Sequence, residues 1–336
     1  MKFGIFCLNE RYGQCTHQSI LDQVELVEYA DKLGYEEAWF AEHHFNGFSI
    51  IPDPAALMAY AAARTQTIRL GSAGFLAPFY HSVRLAESIA VLDHLSNGRI
   101  DAGFAKGGFA PDTRHFLRSR EDLRSVMFET IKAVELLLTG EKINFEGNFV
   151  TIRDSTVVPR PYQQILPIYV ATFSSEETIN FAAHNGYGLM MSQGATLPEC
   201  IEAQRLYRSI AGHDPQMVIL RVLYLDDTLE QAQRAVRPGI DHFVKCMRAA
   251  QAEQTQPEFD AENYRGLLEE RNAFFDGRKF YDNAIVGSPQ DCVETLKEFE
   301  QKLSHVHIAL KPASPDPAVN RQMLARFMAS IRPQLM

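Results

Sequence analysis

Three adjacent residues, Glu42, His43 and His44, have side chains suited to moving protons. An imidazole with an ordinary pKa of about 6.5 exchanges protons near neutral pH, and a neighbouring carboxylate can orient it. Adjacent residues of an extended chain point to opposite sides, so the two histidines are poorly placed to share one metal ion. We therefore expect a proton-transfer site and no metal site here, with hydrogen-bonded structural histidines as the alternative interpretation.

Two further turns have the composition of an anion site. The turn Ala105-Lys106-Gly107-Gly108 combines a cation with glycines that let the backbone approach a ligand. Ser174-Ser175 precedes an expected helix, whose free N–H groups favour a phosphate. Each turn alone also has a structural explanation, because Gly-Gly turns are common and Ser174 with Glu177 has the spacing of a capping box. Only their meeting at one end of a fold would favour a phosphate-bearing cofactor.

Short apolar runs alternate with helical patterns along the chain, and this rhythm predicts eight strands that are each followed by a helix. Such a chain fits a (β/α)8 TIM barrel, an α/β fold in which chemistry gathers at the carboxyl ends of the strands. A doubly wound open sheet is the competing architecture, but the turn after the first strand has one glycine where a dinucleotide-binding sheet has several. The predicted strands are Lys2–Leu8, Glu37–Ala41, Ile68–Ala73, Ile100–Phe104, Ile168–Ala171, Gly188–Met191, Met217–Leu225 and His305–Leu310.

The length of 336 residues allows one or two domains. Because eight strand and helix units account for most of the chain, we predict a single barrel domain over residues 1–336. The surplus is expected in insertions after strands four and seven, at about 107–165 and 226–285. The first insertion contains INFEGNFVTI, in which a glycine between two alternating apolar segments predicts a small hairpin.

The overall charge argues against polyanionic partners and is compatible with small-molecule ligands. The chain has 33 Lys and Arg against 42 Asp and Glu, so its formal net charge is −9. This acidic composition gives no electrostatic sign of binding to nucleic acid or to an anionic membrane. Five cysteines without a C-x-x-C spacing argue against a disulfide framework and a structural zinc site. There is no apolar run long enough to span a membrane, so we expect a soluble cytoplasmic protein.

Several segments resemble the bacterial luciferase family of flavin-dependent monooxygenases. They are MKFGIF at the start, EAWFAEHHF at 37–45, LGSA at 70–73, the block from His81 to LSNGR at 95–99, and VGSP at 286–289. The resemblance covers essentially the whole chain. It implies a TIM barrel, usually dimeric, that uses reduced FMN (FMNH2) supplied by a separate flavin reductase.

The resemblance also implies roles for the proton-transfer residues. The first histidine of the E-H-H motif is the family's catalytic residue, which here is His43, and Glu42 is its neighbour in the flavin site. His44 is the third candidate catalytic residue. A non-prolyl cis peptide that supports the isoalloxazine ring is expected at Ala73–Gly74.

Other cofactor-binding positions follow the same resemblance, with departures from luciferase itself. Lys106, beside Gly107, stands where luciferase has a phosphate-binding arginine, and Ser174 and Thr178 are the expected phosphate ligands at a helix start. Ala105 replaces a reactive cysteine, and Gln193 replaces a tryptophan that contacts the ring. These departures argue against light emission from an aldehyde, but not against flavin chemistry.

The implied reaction is the activation of O2 by reduced FMN as a C4a-hydroperoxide, which then oxygenates a small organic substrate. The insertions at 109–119 and after Leu225 are expected to act as lids that keep water out. Two alternatives remain open. One is a deazaflavin-dependent oxidoreductase of the same superfamily, and the other is a non-catalytic protein that binds a flavin or a fatty acyl group.

Overall fold

A closed barrel of eight parallel strands forms the centre of the protein, in a computed structural model that describes residues 1–252 and 277–335. The predicted (β/α)8 TIM barrel is therefore confirmed. The barrel strands are β1 (Lys2–Cys7), β2 (Glu37–Phe40), β3 (Arg69–Ser72), β5 (Ile100–Ala105), β8 (Ile168–Thr172), β9 (Gly188–Met191), β10 (Met217–Leu225) and β12 (Val306–Pro312). The remaining strands are β4 (Phe75–Leu76), β6 (Ile143–Glu146), β7 (Thr151–Ser155) and β11 (Ile285–Gly287).

The barrel closes because the last strand pairs with the first. Strand β12 lies between β10 and β1, with Lys2 opposite His307 in the parallel register. The other neighbours follow chain order, from β1 through β2, β3, β5, β8 and β9 to β10. All eight strands thus point the same way, and their carboxyl ends form one rim.

Helices pack around the barrel, and the residues at their ends explain where the helices begin and end. Helix α1 ends at Gly34, whose φ of 84° is left-handed and free of strain only for glycine. Helix α7 begins with a capping box between Thr196 and Glu199. The helices are α1 (Thr16–Leu33), α2 (Pro54–Arg64), α3 (Ser82–Leu95), α4 (Ala110–His115), α5 (Leu123–Thr139), α6 (Glu176–Asn185), α7 (Leu197–Ala211), α8 (Leu229–Ala252), α9 (Gly277–Asp282), α10 (Pro289–Lys302) and α11 (Pro317–Ser330).

The insertions differ in detail from the prediction. The predicted hairpin is confirmed as the antiparallel pair β6 and β7, and the 109–119 segment contains the short helix α4, which the pattern did not predict. Strand β11, also not predicted, extends the sheet beside the end of β10. Within the 226–285 insertion, residues 253–276 lie outside the described residues. The assignment of residues 1–336 to one domain stays a prediction. No described helix has the length and apolarity to cross a membrane.

Buried side chains form two clusters that follow the alternation of the strands. Phe3, Ile5 and Cys7 of β1 face the layer between barrel and helices, whereas Phe6 joins the interior cluster with Trp39. The interior is tight at Trp39. A Cβ added to Gly71 on the neighbouring strand would lie 2.3 Å from Trp39 Cε3, and the indole is fully buried.

This close approach predicts that Gly71→Ala lowers the free energy of unfolding by about 3 kcal/mol, because a fully packed ring has to move to admit one methyl group. Urea unfolding of the variant and the wild type measures the difference. Gly47→Ala is the matched control, since its added Cβ would come no closer than 3.9 Å to Arg11 Nη2, at the end of a flexible side chain. Equal stability of the Gly71→Ala variant and the wild type would contradict the packing described here.

Candidate active site

The carboxyl end of β2 delivers the predicted proton-transfer residues to the barrel rim. The chain leaves the sheet at Ala41, whose N–H still donates to Cys7 O. The next residues stay close to the rim because His43 N–H donates to Ile51 O at 2.9 Å. Glu42 is buried, with 3% of its surface exposed. All three catalytic candidates thus lie at the end of the barrel where this fold carries out chemistry.

Glu42 is held by donors on both oxygens, but it does not orient His43 as the sequence suggested. Its Oε1 lies 2.8 Å from His44 Nε2, and its Oε2 accepts from the Tyr80 hydroxyl at 2.8 Å and from Leu76 N–H at 3.1 Å. Burial raises the pKa of the Glu42 carboxyl, while these three hydrogen bonds oppose the rise. The partner of Glu42 is therefore His44, because successive side chains of the extended segment alternate in direction.

His43 has an environment that favours the neutral imidazole. Burial, together with the smaller effect of the nearby His44, lowers the pKa of His43 to about 4. Its ring centroid lies 5.9 Å from that of Phe109. The imidazole is therefore neutral near pH 7, with one ring nitrogen able to accept a hydrogen bond or a proton.

Beside β2, the chain after β3 contains the expected cis peptide. The bond between Ala73 and Gly74 is cis, as the sequence predicted. Ala73 N–H donates to Phe40 O, and a Cβ added to Gly74 would lie 2.8 Å from the carbonyl carbon of Gly103 in β5. The cis segment is therefore pressed against the end of the barrel, where only a residue without a side chain fits.

The carboxyl end of β5 carries the lysine and glycine turn. Gly107 and Gly108 have φ values of 68° and 145°, which bulkier residues rarely adopt. Burial lowers the pKa of Lys106, the charges of Arg124 and Arg120 lower it further, and Glu177 raises it. Three cations thus share one small region beside Ala105, and negative charge on a ligand would be favourable there.

The N-terminus of α6 completes this region, with one correction to the prediction. Ser175, not Ser174, caps the helix, because its hydroxyl accepts from Thr178 N–H and Thr178 O–H donates to Ser175 Oγ. Ser174 is exposed, and no capping box joins it to Glu177. Glu177 instead pairs with Arg124 at 2.5 Å. Ser174 is consequently free to meet a ligand.

Arg124 and Arg120 were missed by sequence reasoning. Arg124 Nη1 is used by Glu177, but its Nε is buried and has no hydrogen-bond partner. A buried donor without a partner fits a ligand oxygen. The signal available in the sequence was the pair of arginines four residues apart, Arg120 just before the start of α5 and Arg124 in its first turn.

The end of β9 places Gln193 at the same rim. Gln193 is 8% exposed, and its Oε1 is buried without a partner. The loop that carries it is fixed by the fully buried Arg221, which donates to Ser192 O at 3.3 Å and to Ala195 O at 2.6 Å. A single arginine inside the apolar strand MVILRVLYL was the signal for Arg221, which sequence reasoning also missed.

Asp112 is a fourth residue that the sequence did not single out. It lies on α4 and is fully buried. The pKa of Asp112 is raised to about 6, mainly by burial, with a lowering effect of His44 and a raising effect of Glu42 included. Its electrostatic link to Glu42 and His44 shows that the predicted lid reaches the proton-transfer residues. The described residues contain no group of three or more potential metal ligands.

The sequence as a whole matches a known family. Residues 1–305 match the model of the luciferase-like monooxygenases. The chain belongs to this family. The polar residues at the rim of its barrel are therefore the candidate active site of a luciferase-like monooxygenase.

Two relatives of this luciferase-like protein have names that specify a reaction. Limonene 1,2-monooxygenase of Rhodococcus erythropolis is 29% identical over 311 residues, which cover 89% of this chain and 77% of that protein. The oxygenase component of the flavin-dependent trigonelline monooxygenase of Acinetobacter baylyi is 27% identical, with 89% and 86% covered.

Solved structures confirm the luciferase-like barrel. The monooxygenase RslO1 from Streptomyces bottropensis has a TM-score of 0.85 at 25% identity, and 99% of each chain is covered. The same fold, at 20% and 17% identity, occurs in an oxygenating constituent of 3,6-diketocamphane monooxygenase from Pseudomonas putida, in complex with FMN, and in an F420-dependent secondary alcohol dehydrogenase. Their TM-scores are 0.80 and 0.74, with 98% or more of each chain covered. The fold alone therefore does not select between the two cofactors.

The environment of His43 predicts a pH-dependent stability. Between about pH 6.5 and its folded pKa of about 4, the unfolded chain binds a proton at His43 that the folded protein does not bind, so stability falls as pH falls through this window. Urea unfolding measures the free energy of unfolding at about pH 7 and at about pH 4.5. The decrease between these two pH values should be ~2 kcal/mol larger for the wild type than for His43→Gln. The exposed His184 gives the control variant His184→Gln, which should lose as much stability as the wild type. An equal loss in the wild type and His43→Gln would show that His43 titrates normally.

Proposed function

We propose that this luciferase-like monooxygenase uses reduced FMN (FMNH2), delivered by a separate flavin reductase, and O2 to oxygenate a small organic substrate. The observation that carries the proposal is the anion site formed by Lys106, Arg124 and the N-terminus of α6, on the same rim as His43 and the cis peptide. The flavin-dependent relative supports a flavin, and its description as an oxygenase component supports a reductase partner.

The anion site fits the phosphate of FMN. Lys106 supplies a positive charge, Arg124 Nε is a buried donor without a partner, and the first N–H groups of α6 point out of the helix. Ser174 is exposed at this helix start, and Thr178 is buried one turn later. We assign the phosphate to Lys106, Arg124, Ser174 and Thr178.

The neighbouring strand ends fit the ring system. Gln193 Oε1 is buried and needs a donor, and a flavin ring carries N–H groups. Ala73–Gly74 and the turn Ala105–Gly107 lie at the ends of β3 and β5, where their backbone would be offered to a flat ligand at the rim. These positions would hold the isoalloxazine between the ends of β3, β5 and β9.

The bound flavin supplies two electrons to O2, so that one oxygen atom enters the substrate and the other leaves as water. The protein's own contribution is to bind, to shield and to move a proton. His43, neutral near pH 7, accepts a proton at its imidazole, and the pair of Glu42 with His44 fixes the chain beside it.

Aromatic side chains shield this region from water. Phe116 lies against His44 with ring centroids 4.8 Å apart, and Phe79 stacks on Phe116 at 5.0 Å. Phe109 covers His43. These contacts support the predicted lid role of the 109–119 segment, since exclusion of water protects a reactive oxygen species.

Two other functions would give different results in measurements of ligand binding and turnover. A deazaflavin-dependent oxidoreductase would bind deazaflavin in preference to FMN, and a non-catalytic protein would bind flavin or a fatty acyl group without turnover. The expected homodimer fits the apolar side chains of Tyr60, Val91 and Leu95 that α2 and α3 expose. The homodimer and the cytoplasmic location stay predictions.

The phosphate assignment predicts a selective effect of Lys106→Met. The variant should bind FMN about tenfold to a hundredfold more weakly, because a charge-assisted contact is lost, whereas riboflavin, which lacks the phosphate, should bind as it does to the wild type. Fluorescence titration measures both affinities, together with that for deazaflavin. Lys142→Met removes an exposed lysine paired with Asp154 and serves as the control. Equal weakening of FMN and riboflavin would exclude a phosphate contact, and tighter binding of deazaflavin than of FMN would favour the oxidoreductase.

The assignment of His43 predicts a loss of product with flavin binding retained. His43→Gln should lower oxygenated product at least tenfold, because general-base catalysis contributes about a hundredfold or more. Mass spectrometry detects product with one added oxygen from limonene, trigonelline and a straight-chain alkanal, and the fastest wild-type reaction is followed. FMN affinity should stay within twofold of the wild type. Unchanged product in His43→Gln would remove His43 from the mechanism.

A further inference from the structure

The turn that follows β9 presents two polar side-chain atoms to the barrel rim. Ser192 Oγ and Gln193 Oε1 are both buried without a hydrogen-bond partner. In β9 itself, Met190 belongs to the interior cluster and Met191 to the outer one, so strand alternation directs Ser192 toward the interior of the barrel. Ala195 N–H closes the turn by donating to Ser192 O at 3.1 Å. Buried polar atoms without partners favour a ligand that supplies them.

Arg221 holds this turn from the outer side of the barrel. Its strand neighbour Leu220 belongs to the interior cluster, so the fully buried side chain of Arg221 points into the layer between barrel and helices. There its guanidinium lies over the ring of Phe299, 5.2 Å from the ring centroid. Nη1 donates to Ser192 O at 3.3 Å, and Nη2 donates to Ala195 O at 2.6 Å. One guanidinium thus ties both ends of the turn to β10.

The turn has little stiffness of its own. Gly194 follows Gln193, and glycine loses more conformational freedom on ordering than any other residue. Strand β9 ends at Met191 and α7 begins only at Leu197, so the backbone groups between them depend on partners outside the sheet and the helix. The position of Gln193 therefore depends on the donors of Arg221.

A buried guanidinium is costly, and its cost points to a specific role. Burial lowers the pKa of Arg221, while Cys200 and Glu199 oppose this change. The Nε of Arg221 is buried and has no hydrogen-bond partner. Glu199 is itself engaged, since its Oε2 accepts from Thr196 N–H in the capping box of α7. An apolar side chain of similar volume would fill this space without burying a charge. What the guanidinium adds is the pair of donors to the turn.

We propose that Arg221 is a positioning residue for the flavin ring, which it does not itself touch. By holding Ser192 O and Ala195 O, it keeps Gln193 Oε1 directed at an N–H group of the ring, with Ser192 Oγ beside it. Loss of the guanidinium releases the turn, so ring binding weakens while the phosphate contacts at β5 and β8 stay intact. This inference rests on the proposed function, because that function assigns Gln193 to the isoalloxazine.

Riboflavin isolates the contribution of the ring because it lacks the phosphate, and fluorescence titration of the full-length protein measures its affinity. Gln193→Ala should bind riboflavin about tenfold more weakly than the wild type, which is the effect of one hydrogen bond lost at a buried acceptor. Arg221→Met should also bind it about tenfold more weakly, because the same hydrogen bond is lost. The double variant should stay within about twofold of Gln193→Ala, because a residue that acts through Gln193 has no further effect once the amide is gone.

Hydrogen exchange of the flavin-free protein tests the positioning itself. In Arg221→Met the Ala195 N–H should exchange about tenfold faster than in the wild type, because the turn that it closes opens more often. In Gln193→Ala its exchange should be unchanged. Arg221→Gln, which is polar but uncharged, should behave like Arg221→Met and replaces it if that variant does not fold. Failure of both variants to fold would show that Arg221 serves the fold alone and would overturn the inference.

Arg99→Met is the matched control. Arg99 also holds backbone carbonyls, with Nη1 on Ile68 O at 2.8 Å and Nη2 on Ala62 O at 3.0 Å, but it lies just before β5 at the opposite end of the barrel. Arg99→Met should bind riboflavin as tightly as the wild type.

Three results would overturn the inference: wild-type affinity for riboflavin in Arg221→Met, additive effects of Arg221→Met and Gln193→Ala, or equal weakening in Arg99→Met. FMN affinity is measured in the same samples. Binding of neither FMN nor riboflavin by the wild type would overturn the proposed cofactor as well, whereas wild-type binding of both flavins by the Arg221 variants would overturn this inference alone.

Discussion

The buried carboxylate of Glu42 is the interaction on which the proposed active site depends. It joins the end of β2 to the chain that follows the cis peptide, through hydrogen bonds from Leu76 N–H and the Tyr80 hydroxyl. On the other oxygen it holds His44. Hydrogen bonds to a charged group contribute about 1.5–3 kcal/mol each. Here they reduce the cost of burying the carboxylate, although burial still raises the pKa of Glu42. One side chain thereby fixes two neighbouring strand ends that the proposed chemistry needs at the same time.

Around the rim, each strand end has a separate task in this account. The proposed proton acceptor His43 lies at the end of β2, and the cis peptide lies after β3. The anion site follows at β5 and β8, and Gln193 at β9. A phosphate bound at this anion site would direct the ring of the flavin toward the ends of β3 and β9. The closed barrel makes this possible because its eight strands end on one circle.

Structural features that local patterns and family motifs determine could be predicted from the sequence. Features that depend on contacts between distant segments could not. The eight strands followed from apolar runs, and Glu42, His43, Lys106 and the cis peptide followed from motifs in the turns after them. Asp112 stands out only once the fold buries it, since no sequence pattern marks it. Ser175 rather than Ser174 caps α6 because the exact first turn of a helix is set by its packing. Strand β11 is three residues long and forms only because β10 offers a free edge.

The central claim is that the barrel rim holds reduced FMN and controls its reaction with oxygen. Its most direct test mixes the anaerobic complex of protein and reduced FMN with aerated buffer in a stopped-flow spectrometer and follows the return of oxidised flavin absorbance. The account predicts that bound flavin returns to the oxidised form at least tenfold more slowly than free reduced FMN, because the buried, aromatic-covered site delays the loss of hydrogen peroxide. Reoxidation at the rate of free flavin, despite saturated binding, would contradict it.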